Sequence, residues 1–126
     1  MNEDQTLLRR KLFSIISLSM RAGEVVTGED GCVKAVQSGK AHLVLVATDA
    51  SDNTRKKFSD KTSFYGISCY CCFSKAEIES AIGKPNRATI AISCEKFAAR
   101  IVDLLSDLDI ETYRFKEMNQ IGKVGE

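Results

Sequence analysis

The sequence predicts an α/β fold: a three-layer α/β/α sandwich with a central, largely parallel mixed four-stranded sheet. Three observations predict it. Near-continuous apolar runs at residues 42–48 and 88–93 read as strands covered on both faces, because a strand with one wet face would alternate. Stretches of helical spacing separate the runs, and strands joined through helices argue for a parallel arrangement. The 126 residues, 44% hydrophobic and 28% charged, suit one ordinary globular core.

The elements follow in order. Residues 4–22 place Leu8, Leu12, Ile15 and Ile16 on one helical stripe, with Asp4 as N-cap and Gly23 as the left-handed stop. Arg9, Arg10 and Lys11 fall mostly off that stripe and read as a solvated face. Val25-Val26 passes through a short strand. Thr27-Gly28 then opens a second helix, with Thr27 and Asp30 at capping-box spacing and Val33, Ala35 and Val36 as its anchors. Ser38-Gly39 ends it, and the strand at 42–48 follows.

A loop at 48–52 leads to a third helix over residues 53–64, with Phe58 and Phe64 on its inner side and Gly66 as its stop. Its Arg55-Lys56-Lys57 run reads as a solvated face. Residues 67–73 form the next strand; alternation puts Ile67, Cys69, Cys71 and Phe73 on one face, Tyr70 and Cys72 on the other. Ser74-Lys75-Ala76-Glu77 is a second capping box, opening a short helix through Ile82. Gly83-Lys84-Pro85-Asn86-Arg87, with the sole proline of the chain, is a turn. The strand at 88–93 precedes a final helix over 95–108, built on Phe97, Ile101, Leu104 and Leu105. Residues 1–108 thus make one domain, and 109–126 are expected to be a mobile C-terminal extension.

Composition narrows the function classes. The formal net charge is +1, which argues against broad electrostatic nucleic-acid binding and leaves room for a local basic face. No apolar run approaches the roughly 20 residues of a membrane helix, and the acidic, polar start is not a secretory signal. Five cysteines without such a signal point to free thiols in a reducing cytoplasm. Cys69-x-Cys71-Cys72 invites a metal reading, but neighbouring strand residues face opposite ways, so no metal site is expected. Phosphate-loop, dinucleotide and paired-carboxylate motifs are absent from the sequence, and its single histidine, His42, has no partner signature. No catalysis, cofactor or small-molecule substrate is expected.

The chemistry concentrates between Gly23 and Lys40, G-E-V-V-T-G-E-D-G-C-V-K-A-V-Q-S-G-K. A helix start carries unpaired N–H groups and partial positive charge, a natural seat for phosphate. Glu29 and Asp30 also have a structural explanation, as acids favourably placed on the helix dipole.

With Ala22-Gly23 through Gly28-Glu29, Val33-Lys34-Ala35-Val36, Ser38-Gly39-Lys40-Ala41, the 43–50 strand and loop, Asn53-Thr54, Ala81-Ile82-Gly83-Lys84 and Arg87 in consistent order, the chain resembles the L7Ae/L30e family of ribosomal proteins over residues 7–106. It looks closest to the small bacterial, YlxQ-like members. The resemblance implies a non-enzymatic, cytoplasmic α/β/α protein that docks the start of its second helix into a kink-turn or similarly structured RNA. Gly28, Glu29, Asp30 and Lys34 are then the readers on the helix, with Lys84, Arg87, Ala88 and Thr89 on a second loop. The implied partners are structured RNA, ribosomal RNA among the candidates, and the ribosome. The archaeal pattern has Asn-Glu where this chain has Asp30-Gly31, and aspartate lacks the amide donor of asparagine. Glu24, Asp30 and Gly31 therefore keep open an alternative, a ribosome-associated protein-interaction adaptor with reduced RNA binding. For the RNA reading, Lys34, Lys84 and Arg87 are expected to converge on one face around the Gly28 turn.

Overall fold

The structure, a computed structural model, describes residues 3–108; the expected extension at 109–126 lies outside the described residues. The chain runs through α1 (Glu3–Arg21), β1 (Val25–Thr27), α2 (Glu29–Gln37), β2 (Leu43–Ala47), α3 (Asp52–Tyr65), β3 (Ser68–Phe73), α4 (Lys75–Ile82), β4 (Thr89–Ile92) and α5 (Glu95–Asp107). The strands form one four-stranded sheet in the order β1-β4-β2-β3. Helices α1, α4 and α5 pack together on one side, α2 and α3 on the other. This is the three-layer sandwich that the alternation of apolar runs and helical stretches predicts.

The sheet core explains why the runs lack polar alternation. Leu43, Val44, Leu45, Val46 and Ala47 of β2 are all 0% exposed, as are Ile90, Ala91 and Ile92 of β4. Both central strands have helices above and below, so every side chain must be apolar. Leu12 and Ile16 of α1, Phe58 of α3, and Ile101 and Leu105 of α5 close the core from the two outer layers.

The sheet is mixed, as expected: β1, β2 and β3 point one way and β4 runs against them. Among neighbouring strands β2 and β3 pair in parallel, and β4 is antiparallel to both β1 and β2. A helix between strands gives a parallel pair only if it returns the chain to the starting edge. The eight residues of α4 rise only about 12 Å, and the following loop leads back to the edge where β3 ended. In consequence the ends of β1, β2 and β3 and the start of β4 share one edge, where Gly28, Ala88 and Thr48 join the sheet's hydrogen bonding.

Three local expectations are corrected. Thr27 does not cap α2: it still belongs to β1, opposite Ile90, and the N-cap is Gly28, with no side-chain cap. Asp4 lies inside the first turn of α1, which begins at Glu3. Phe64 is 82% exposed, because six residues from Phe58 turn it about 120° off the inner face at 3.6 residues per turn; Thr62, four residues on, takes that place and is buried.

Phe73 also changes face. The β2–β3 register skips Cys72, pairing Val46 with Cys71 and Ala47 with Phe73, and such a bulge interrupts the two-residue period. Phe73 packs on Phe13 of α1, ring centroids 5.1 Å apart, with the Arg9 guanidinium 5.1 Å over its ring. It lies on the α1/α4 side, not with Cys69. Elsewhere the turn chemistry is as expected: Ser74 and Glu77 form the reciprocal capping box of α4, and Gly66 ends α3 at φ 70°.

Candidate functional site

Three helices start from the shared edge, and two are closed by their own caps. The Ser51 hydroxyl accepts from the Thr54 N–H at 3.1 Å at the start of α3. At α4 the Ser74 hydroxyl accepts from the Glu77 N–H at 3.1 Å, and Asp49 Oδ1 accepts from the Lys75 N–H at 2.8 Å. The start of α2 differs. The Gly28 N–H donates to the Thr89 carbonyl at 3.0 Å, and the first helical bond runs from the Cys32 N–H to the Gly28 carbonyl at 3.0 Å. Among the described residues nothing accepts from the amides of Glu29, Asp30 and Gly31. These are the orphan donors of a helix start.

Gly28 is the hinge of this arrangement. Its φ of 89° and ψ of 157° lie in a region that glycine alone populates comfortably. That conformation lets β1 end against β4 and α2 leave at once. Gly31 serves by its size: a Cβ there would sit 3.0 Å from Val26 Cγ1, so α2 packs closely on β1 and a side chain at this position would need the valine to give way.

The loop after α4 delivers a cation to the same place. Asn86 adopts φ 57°, a left-handed conformation that asparagine tolerates, and its N–H donates to Glu79 Oε2 at 2.7 Å. The turn points Arg87 back across the edge. Its Nε donates to Thr27 Oγ1 at 3.2 Å and its Nη1 to the Pro85 carbonyl at 3.0 Å. The aliphatic part of Arg87 passes 3.9 Å from where a Gly28 Cβ would be. A guanidinium is thereby fixed beside the free amides, with donors left for an anion.

The structure brings some expected site residues together and separates others. Gly28, Arg87 and the Thr89 backbone meet. The Thr89 side chain is 1% exposed, enclosed beside the Cys32 thiol, so it contributes only its carbonyl. Ala88 is half-buried and spends its carbonyl on the Ala47 N–H at 2.8 Å. Glu29 turns towards α3, where its carboxylate accepts from the Thr54 hydroxyl at 3.1 Å and pairs with Lys57 Nζ at 3.4 Å. Asp30 and Lys34 are exposed and line a cleft between α2 and α3, together with Lys57 and Lys61. Lys84 is exposed on the 83–87 loop, and among the described residues no hydrogen bond or ion pair ties it to the Gly28 turn. Convergence on that turn is direct for Arg87 alone, while Lys34 stands further along α2.

Sequence reasoning gave neither Thr54, quoted only within the resemblance, nor Lys57, read as part of a solvated face, a place at the site. Their signal is the i, i+3 spacing that puts both on one flank of α3; which helix that flank meets is a tertiary fact. Burial raises the thiols around the site: Cys32 is pushed up to about 12, the Thr89 hydroxyl pulling slightly the other way. Such a thiol stays protonated and inert near neutral pH. Among the described residues no group of three or more His, Cys, Asp or Glu side chains is placed to hold a metal ion, and no helix is long and apolar enough to cross a membrane.

Comparison with known proteins identifies the family. Residues 10–103 match the Ribosomal protein L7Ae/L30e/S12e/Gadd45 family. The chain is 43% identical over 97 residues to the RNA-binding protein YlxQ of Enterococcus faecium, an overlap of 77% of this chain and 93% of that one. It is 38% identical over 93 residues to the RNA-binding protein YlxQ of Bacillus subtilis (strain 168), covering 74% and 93%. Its fold superposes on a protein with unknown function from Bacillus halodurans C with a TM-score of 0.74 at 34% identity, covering 76% and 97% of the two chains. The Giardia lamblia 15.5kD RNA binding protein shares the fold, with a TM-score of 0.65 at 22% identity over 86% and 92%. The chain therefore belongs to the Ribosomal protein L7Ae/L30e/S12e/Gadd45 family.

Proposed function

We propose that this protein is a non-enzymatic, cytoplasmic RNA-binding protein that seats a sharply bent RNA, a kink-turn or a similar internal loop, on the start of α2. The observation that carries the reading is the contrast among helix starts at one edge: α3 and α4 are capped by serines, whereas α2 leaves three amides open beside Arg87. Amides and a fixed guanidinium recognise phosphate through geometry, which suits a chain with almost no net charge. Structured RNA is read by shape, unpaired bases and backbone in this way. The names of the relatives from Enterococcus faecium and Bacillus subtilis support the same class of ligand. Ribosomal RNA, in the ribosome, is one such ligand.

Lys34 stands one turn past the open amides on the exposed side of α2 and adds a second cation. Lys84 reaches in from the 83–87 loop once RNA is seated. Against them stands Asp30, a carboxylate at the mouth, and it favours the adaptor reading, in which the same surface meets a protein of the ribosome.

Binding to a kink-turn RNA and to a straight duplex of matched composition, titrated across salt, separates the two readings. Submicromolar binding to the kinked RNA alone, weakened by Lys34→Ala and by Arg87→Ala, is expected. Equal and negligible binding to both RNAs overturns the RNA reading in favour of the adaptor.

A further inference from the structure

Beyond the Gly28 turn, residues of α2 and α3 line an open cleft of about 300 Å³. Lys34 from one wall and Lys57 and Lys61 from the other line it, with Asp30 the single acid among the lining residues. The α3 wall is a regular stripe. Thr54, Lys57, Lys61 and Phe64 are spaced three or four residues apart, so they share one flank, offset from the inner face marked by buried Phe58. Lys56 and Asp60 belong to the outer surface and pair with each other at 3.4 Å. The stripe begins at the candidate site, where Thr54 and Lys57 hold Glu29. It ends on Phe64, 82% exposed and edge-on to Tyr65, ring centroids 5.0 Å apart.

Cations followed by an open aromatic ring form a surface for single-stranded nucleic acid, with lysines along the phosphates and the ring under a base. Lys57 to Phe64 is a rise of about 10 Å along the helix, the length of about three nucleotides at a stacked spacing near 3.4 Å. A protein partner would find little here to bury besides two rings, and three lysines against Asp30 and Glu29, the acid that Lys57 pairs with, leave a positive surplus that favours a polyanion.

We infer that the α2–α3 cleft is a second RNA-contact surface, which guides the single strand leaving the bent site along Lys34, Lys57 and Lys61 and stacks one of its bases on Phe64. The inference deepens the RNA reading above and rests on it for the strand's point of entry.

A kink-turn and a straight duplex test it with the full-length protein, each of them blunt or carrying a ten-uridine single-stranded extension on one end or the other. One of the two extensions raises affinity about tenfold, the order expected of a stacked base. Phe64→Ala and Lys61→Gln each remove most of that gain, and both leave blunt kink-turn binding unchanged. Lys61→Gln also lowers the slope of log affinity against log salt by about 0.7 on the extended RNA, one phosphate contact fewer on a single strand. An extension that adds nothing on either end overturns the inference, as does a gain that survives both substitutions. Loss of blunt kink-turn binding in wild type sinks the earlier reading instead; the straight duplex, with and without its extension, then still reports on the cleft. A dimer or captured protein that disappears with Phe64→Ala, with no extension effect, assigns the ring to protein contact and also overturns the inference.

Discussion

Arg87 Nε donates to Thr27 Oγ1 across 3.2 Å, joining the loop before β4 to the end of β1, 60 residues apart in sequence. The bond turns an isolated surface arginine into part of the α2 entrance. It also gives Thr27, which caps nothing, a definite task.

Thr27→Val should therefore weaken RNA binding without touching RNA, by releasing the guanidinium. Arg87→Ala is expected to lower affinity by about 1–3 kcal/mol, the usual cost of one phosphate or base contact. Thr27→Val should lower it by less, because the cation stays near. Both bonds are partly exposed, so stability should move by no more than about 0.5 kcal/mol. Filter binding beside thermal melts checks the pair, and unfolding by either substitution would contradict the surface role.

Gly28→Ala tests backbone strain separately from crowding. The nearest atoms to an added Cβ are Arg87 Cδ and Nε at 3.9 Å, so there is room. With φ at 89° and ψ at 157°, the substitution is still expected to cost about 1–3 kcal/mol, read as a lower urea midpoint. A neutral result would show that another conformation serves equally well at the cap.

Asp30→Asn should shift binding and stability in opposite directions. It removes an acid from the first turn, costing about 0.3–1 kcal/mol of favourable helix-dipole placement. The same change takes a negative charge away from the RNA seat and supplies an amide donor, so kink-turn affinity is expected to rise severalfold. Gly31→Glu should not help, because its Cβ would press on Val26 Cγ1 at 3.0 Å and push α2 off β1. The matching measurements are Kd and Tm for each single variant and for the double.

Alkaline pH should destabilise the fold through its thiols. Burial, above all, lifts Cys32 and Cys69 from the ordinary 9.0 to about 12, and it raises Cys71 as well. The native state therefore holds its protons where the unfolded chain releases them. Stability is full below pH 9 and declines as pH rises from 9 towards 12. In a thiol-reagent assay at pH 8, Cys94, the one cysteine of the five that is not buried, should react promptly, and the other four at a rate set by opening of the fold. Prompt reaction of several thiols would contradict that burial.

The order of elements, the helix stops, the α4 capping box and the two central strands were legible from residue spacing, because each rests on contacts within a few positions or on a simple rule of burial. That α2 opens at the Gly28 turn was legible for the same reason; its role as an anion seat is the proposal made above. Strand direction was not, since apolar runs look alike whichever way they point; only packing of the short α4 and its return loop put β4 antiparallel. Nor did alternation reveal the bulge that sends Phe73 to the α1 side, or the pairing of Arg87 with Thr27 and of Lys57 with Glu29. Local chemistry decides what a segment becomes, and long-range packing decides which segments share an edge; a site assembled from the Gly28 turn, the 83–87 loop and α3 belongs to the second kind of information.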